Sequence, residues 1–339
     1  MTHRKTALHA GGLFIEFLND LQIRCIEEQK RFLKEELKLT ALITDLNMHS
    51  KYTLIGVREH LDFVDNHQYW DHPSFPVRQW GMPYLFSNMS SISRLAQNPR
   101  YLMPARIFGK PYTVTEFNFC NPNPNRMESA PLIGGYAALQ DWDGLYRFAW
   151  SHNRANMKKF NVPMGFDIVN DPQAQFAERI IRLLFMRGDV RPATPAFAFS
   201  CTAEQLRQLS GPPENDGNFP DEFTELGLYG RIGSLGTNSS LSGVLKLDPL
   251  SPGWQSELPQ SARAALDELG KTGRVTSAGG EITLDSKAKT VRIVTRPGDG
   301  RPRPAGRAGA GGKPFAALPP AAEPRRDQNE IHEFAAQPA

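Results

Sequence analysis

The chain has 339 residues, a formal net charge of +3, 40% hydrophobic and 10% aromatic residues, which is material for one large domain or two ordinary ones. So small a charge, with no basic stripe ahead of the C-terminal tail, argues against nucleic acid as a partner. With no run of about eighteen apolar residues, nothing in the sequence reads as a helical membrane span.

Three cysteines, Cys25, Cys120 and Cys201, are an odd number without metal-ligand spacing, so neither a disulfide framework nor a zinc knuckle is expected. The segment Met1-Thr2-His3-Arg4-Lys5 lacks the apolar stretch of a signal peptide, and Ala7 to Gly12 is too broken to supply one. As it stands the chain reads as cytoplasmic.

In chain order, Phe14, Phe17, Leu18, Leu21, Cys25, Ile26, Phe32, Leu33 and Leu37 recur at three- and four-residue spacing and predict a helix over 13–39. Thr40 to Asn47 reads as a strand. A short helix follows over 54–60, then a second strand, 61–67, with polar residues at its end. A long loop from Gln68 to about Ser90 carries Trp70, Trp80 and several prolines. The third strand, Tyr112 to Phe117, follows Pro111 and opens into the loop Asn121-Pro122-Asn123-Pro124-Asn125. A helix is predicted over 131–140, a fourth strand over 144–150, and an amphipathic helix over 174–185 behind the start signal Asn170-Asp171-Pro172.

Beyond Arg191 the composition shifts to Pro, Gly, Ser and Asn. The segments 273–285 and 290–295 read as two strands of a hairpin with a turn at 286–289. From Arg296 to Arg326 the chain is nearly all Arg, Pro, Gly and Ala, and is expected to be disordered.

Strands alternating with helices or long loops imply parallel βα units. Their ends carry Asn47, His67, Glu116 and Trp150, which fits the active-site face of a (β/α)8 barrel. Four such units need roughly 125 residues, half of a barrel of about 250. Glu116 is the candidate catalytic carboxylate. A retaining glycosidase uses two carboxyls about 5–5.5 Å apart, and His67, Tyr69, Trp70, Trp80, Trp142 and Trp150 offer hydrogen bonds and stacking faces for sugar rings. Tyr69 is placed to hydrogen-bond the nucleophile, and His67 to bind a sugar hydroxyl or tune Glu116. The run Asp65 to His72 also admits a metal-dependent hydrolase centred on His67, Asp71 and His72. Against that, no His-x-His opens a strand. The segment Gly230 to Gly236 lacks the lysine of a phosphate-binding loop.

Three ordered blocks, Val64 to Pro73, Gly109 to Asn118 and Ala137 to Leu145, resemble the later half of clan A retaining glycoside hydrolases. The nearest look is to family-5-like or β-galactosidase-like proteins. The resemblance implies that Glu116 is the nucleophile at the end of the seventh barrel strand. It places His67 and Tyr69 at the sixth strand, Trp150 at the eighth as a sugar platform, and Asn47 at the fifth. The clan's acid/base, a Glu preceded by Asn at the fourth strand, has no counterpart. The only Asn-Glu pair, Asn329-Glu330, lies in the tail.

The expectation is therefore an α/β chain holding a partial (β/α)8 TIM barrel, about strands 5–8. Residues 1–190 form the catalytic half, 191–270 a loop-rich connection, 271–295 a β-hairpin and 296–339 a disordered tail. The expected activity is retaining hydrolysis of an oligo- or polysaccharide, with Glu116 catalytic and the acid/base outside the chain. Substrate contacts are expected from His67, Tyr69, Trp70, Asn47, Asn118 and Trp150, with no cofactor and no metal. An open half-barrel has bare strand edges, so self-association or a complementing N-terminal fragment is expected. The alternative is a non-catalytic carbohydrate-binding remnant.

Overall fold

The computed structural model describes residues 2–48, 50–158, 165–208, 217–236, 238–295 and 332–336. The long helix predicted at the N-terminus is α1 (Thr2–Arg31), which continues into a π-helical turn, Phe32–Glu36. Next come α2 (Ile55–Arg58), β1 (Val64–Trp70), α3 (Gln97–Arg100) and β2 (Tyr112–Phe119). A π-helical turn, Ala130–Gly135, leads into α4 (Tyr136–Leu139), followed by β3 (Gly144–Arg147) and α5 (Pro172–Ile181). The start signal read for α5 holds: the Asp171 side chain accepts from Gln173 N at 3.1 Å and Ala174 N at 3.3 Å.

The architecture is mixed α/β with small parallel sheets, and no closed barrel forms among the described residues. β1, β2 and β3 make a parallel sheet in chain order. The strand expected over 40–47 is an irregular extended segment. It lies parallel to β1 through two main-chain bonds, Asp62 N to Ile43 O (2.9 Å) and His67 N to Asn47 O (2.6 Å). Leu46 in the left-handed region (φ 63°) and the Asp62 carboxylate on Ile43 N (2.9 Å) interrupt any ladder there. β1 starts three residues later than expected and runs through Tyr69 and Trp70. β3 ends at Arg147, so Trp150 lies on the loop beyond it.

The stretch 191–270 carries regular structure where a loop-rich connection was expected. β4 (Ala196–Phe199), α6 (Ala203–Arg207), α7 (Asp221–Leu226), β5 (Arg231–Ser234), β6 (Leu245–Leu247) and α8 (Gln260–Thr272) all lie there. β4, β5 and β6 form a second parallel sheet in the order β5-β4-β6. The short apolar run Ala196-Phe197-Ala198-Phe199 is buried on both faces, as parallel strands are.

The segment 273–285 is two strands, β7 (Arg274–Thr276) and β8 (Ile282–Asp285), turning at Gly280 with φ 75°. β8 pairs with β9 (Thr290–Thr295) around the predicted turn. The tail is not wholly without structure: β10 (His332–Ala336) adds to β9, pairing Phe334 with Ile293. The rest of the tail, Asn329-Glu330 included, lies outside the described residues. One apolar core runs from Tyr52 to Ile293 and unites the first sheet, the second sheet and the face of β8 and β9. Each fully buried Leu, Ile or Phe in it contributes about 1.5–3 kcal/mol.

Candidate active site

The site is built on one face of β1 and one irregularity of β2. On β1 the period of two sends Asp65, His67 and Tyr69 to the same side of the sheet. On β2 the same period places Thr113 and Thr115 together, and Glu116 would then face the opposite side. A β-bulge prevents this. Asn66 pairs with Val114 but His67 pairs with Glu116, so Thr115 and Glu116 together oppose one residue of β1. β3 meets the same irregularity, pairing Leu145 with Val114 and Arg147 with Phe117. The extra residue returns Glu116 to the face of His67 and Tyr69, while Tyr112, Val114, Phe117 and Phe119 stay in the core.

The side chains converge accordingly. The Tyr69 hydroxyl donates to Glu116 Oε2 in a short hydrogen bond. Burial, reinforced by the neighbouring Glu116 carboxylate, pushes the Tyr69 phenol far above its ordinary range and keeps it a donor. His67 Nδ1 lies 3.4 Å from the same Glu116 oxygen. His67 Nε2 is 2.9 Å from Thr115 Oγ1 and 3.5 Å from Asp65 Oδ2. The Thr115 hydroxyl donates to Asp65 Oδ2, so it accepts from His67 Nε2–H. Asp65, buried, also takes Thr113 Oγ1 at 2.7 Å and Thr115 N at 3.0 Å. The chain Asp65–Thr115–His67–Glu116 thus fixes the imidazole plane and leaves Nδ1 facing the carboxylate.

Behind this row stands the buried Arg58, donating to Asn66 Oδ1 (3.0 Å), Leu46 O (2.9 Å) and Ala105 O (3.3 Å). Burial brings its guanidinium down to about 10.

Three rings, His72, Phe148 and Phe166, pack edge-on against Tyr69. Phe166 lies edge-on to Tyr69 at 5.2 Å and also meets His72, Trp80 and Phe148. Trp80 is 59% exposed and stands against Phe75 at 4.9 Å. An open cleft of about 490 Å³ adjoins the rings between the end of β1 and the loop 71–89. Tyr69 and His72 line it, and Glu116 does not, so the cleft lies beside the carboxylate rather than over it. The Asp71 carboxylate secures that loop, accepting from Ser87 N (2.6 Å), Ser87 Oγ (2.7 Å), Asn88 N (2.9 Å) and Asn123 Nδ2 (2.9 Å).

Of the residues singled out from the sequence, Glu116, His67 and Tyr69 come together. Trp70 does not join them. It is 7% exposed in the core, with Nε1 donating to Met89 O at 2.8 Å. Asn118 is buried and committed: its amide donates to Phe148 O (2.6 Å) and Phe166 O (2.8 Å) and accepts from Arg147 Nη1 (2.7 Å). It therefore holds the ring-bearing loops. Asn47 meets His67 through its main-chain carbonyl. Trp142 is a core residue packed edge-on against Tyr112 at 5.2 Å. Trp150 is 52% exposed beyond β3.

The residues of the metal reading are spread over other tasks: Asp71 orders its loop and His72 Nδ1 donates to Pro73 O at 2.8 Å. Among the described residues no group of three His, Cys, Asp or Glu side chains is arranged to hold a metal ion. Asp65, Thr113 and Thr115 were missed, although the spacing Asp65-x-His67-x-Tyr69 on a strand carries the signal for Asp65. Phe148 and Phe166 come from loops with no such signal. No protein-family model matches this chain, and no curated protein or solved structure matches it.

Proposed function

We propose that this chain provides the nucleophilic half of a retaining glycosidase, with Glu116 as the nucleophile. One observation carries the reading: the bulge at Thr115–Glu116 turns the carboxylate onto the face where Tyr69 and His67 already point, beside a wall of aromatic rings. In the reaction a Glu116 oxygen forms a bond to the anomeric carbon as the bond to the leaving oxygen breaks. Water then cleaves the glycosyl ester, releasing the sugar and regenerating the carboxylate. Tyr69 holds Glu116 Oε2. His67, in its imidazolium form, would offer that oxygen a second N–H.

The layout supports strands 5–8 of a (β/α)8 barrel. The segment 43–47, β1, β2 and β3 lie parallel in chain order, with helical turns between them, and the chemistry lies at or beyond their C-terminal halves.

A natural glycoside also needs a proton on its departing oxygen, which contributes about 10²–10⁴-fold to the rate. Asp65 is spent on Thr113 and Thr115 and cannot supply it. The exposed Trp80 and Trp150 favour, as a second reading, sugar binding without turnover. Glycosides whose leaving group is already a good anion, such as dinitrophenyl glycosides, separate the two, because they need no acid. The proposed function predicts their slow hydrolysis by the chain and a loss of more than about a thousandfold in Glu116→Gln. Binding without any Glu116-dependent turnover would favour the second reading.

A further inference from the structure

The direction of each hydrogen bond behind His67 decides what its ring can offer Glu116. Asp65 Oδ1 takes two donors, Thr113 Oγ1 at 2.7 Å and Thr115 N at 3.0 Å, and Oδ2 takes the Thr115 hydroxyl. A hydroxyl has a single proton to give. With that proton on Asp65, Thr115 Oγ1 meets His67 Nε2 at 2.9 Å as an acceptor, and Asp65 Oδ2, 3.5 Å from Nε2, adds its attraction for a proton there. The neutral imidazole is then protonated on Nε2 and bare on Nδ1. Nδ1 is the nitrogen that lies 3.4 Å from Glu116 Oε2. A bare ring nitrogen and a carboxylate oxygen are both acceptors, so the contact is favourable only with a proton between them. When Glu116 is ionised, as a nucleophile must be, that proton belongs to His67. Tyr69 donates to the same Oε2, and among the described residues no hydrogen bond falls on Oε1.

We propose that Asp65 and Thr115 are positioning residues of the Glu116 centre. They lock His67 in the Nε2–H tautomer, so that it donates to Glu116 only as the imidazolium, and the two donors gathered on Oε2 leave Oε1 as the oxygen that attacks. Both residues act through His67 and neither is asked to touch the sugar. The acidic groups facing the ring are Asp65 on β1 and Glu116 on β2. The Tyr69 phenol reaches the same Oε2, and the Asn47 carbonyl accepts from the His67 main-chain N–H. The part played in the reaction rests on the reading of Glu116 as the nucleophile of a glycosidase, whereas the tautomer does not.

The test is nitrogen NMR of the full chain with isotope-labelled histidine, over about pH 5 to 9, where imidazoles titrate. His67→Gln identifies the His67 signals. Once neutral, wild-type His67 is expected to carry its proton on Nε2, and Thr115→Ser is expected to keep it there. Asp65→Asn has the same shape and reverses one bond. The side-chain Oδ1 still accepts from Thr113 and Thr115 N, the new amide N–H donates to Thr115 Oγ1, and the hydroxyl turns to donate to Nε2. In that variant the neutral imidazole is expected to carry its proton on Nδ1. Turnover of a dinitrophenyl glycoside by the wild type is expected to fall by about tenfold or more as His67 loses its charge, the loss of one charge-assisted hydrogen bond, and Asp65→Asn is expected to lose that dependence. A neutral wild-type His67 protonated on Nδ1, or an Asp65→Asn chain that keeps the Nε2–H form, would overturn the lock. Turnover with the same pH course in both chains would overturn its part in the reaction. Labelling of wild-type Glu116 by a fluorosugar is read separately: if it fails while the Nε2–H tautomer is present, the nucleophile is rejected and the lock stands.

Discussion

Among the described residues, two three-stranded parallel sheets share the same backbone geometry and carry different side chains. In the first, β1 and β2 carry Asp65, His67, Tyr69, Thr115 and Glu116 on one face, each bonded to another. In the second, the central strand β4 is Ala196-Phe197-Ala198-Phe199, buried on both sides. Phe199 packs on Tyr52 at 5.2 Å, Phe219 at 5.0 Å and Phe223 at 5.6 Å. The pairing of β4 with β5 and β6 is also regular, residue for residue, whereas β2 is bulged against both of its neighbours. A parallel sheet is thus a scaffold and not in itself a site. The first sheet differs where β2 departs from its register and brings the Glu116 carboxylate to the face that carries His67 and Tyr69.

The sharpest way to break the comparison is to damage the second sheet alone. Phe199→Ala is expected to cost about 3–5 kcal/mol of stability through the cavity it leaves, seen as a lower urea midpoint. Under conditions where the variant remains folded, turnover of an activated glycoside should be preserved. A variant that stays folded but loses turnover would show that the two sheets are not separable in this way.

Tyr69→Phe makes the opposite cut. It keeps the ring among Phe148 and Phe166 and removes only the donor to Glu116. About tenfold to a hundredfold is expected to be lost from the formation of the glycosyl ester, equivalent to one charge-assisted hydrogen bond of about 1.5–3 kcal/mol. The urea midpoint should change far less.

A last effect appears only at high pH and reaches groups beyond the first sheet. Burial raises the Tyr69, Tyr112 and Tyr136 phenols and the Cys120 thiol, and pushes the Cys201 thiol up to about 12. In the unfolded chain these protons leave near pH 8.5 for thiols and 10 for phenols, to about the nearest unit, while the folded chain keeps them. Their contribution is fully present below those unfolded values and is lost as pH rises through 9 to 12. Urea midpoints are expected to stay level from about pH 6 to 8 and to fall progressively above about 9. A midpoint that rises over that upper interval would contradict the assignment.

How far the sequence disclosed this structure depended on whether the signal was local. The Asn170-Asp171-Pro172 start of α5 and the long periodicity of α1 are local, and both elements form. Tyr69 and His67 were legible because two residues on one strand share a face. The bulge was not legible. Tyr112 to Phe119 shows no glycine or other mark for an extra residue, and the irregularity exists only in relation to β1 and β3. Without it, Glu116 was identified by its place near a strand end rather than by the face it occupies. β4 failed for a related reason: four residues among prolines and glycines read as a loop until β5 and β6 flank them. Trp70, expected as a sugar contact, lies largely buried on the face of β1 opposite Tyr69, a consequence of the same period of two, and borders the cleft beside Tyr69.

The role of Glu116 is tested by mass analysis of the chain after incubation with a panel of dinitrophenyl 2-deoxy-2-fluoroglycosides. Such compounds carry their own leaving group and form a glycosyl ester that water removes slowly. With Glu116 as nucleophile, the expected result is a mass increase of one fluoroglycosyl group, located by proteolysis to the peptide containing Glu116 and absent from Glu116→Gln. No adduct with any sugar of the panel, or an adduct on another residue that persists in Glu116→Gln, would contradict it.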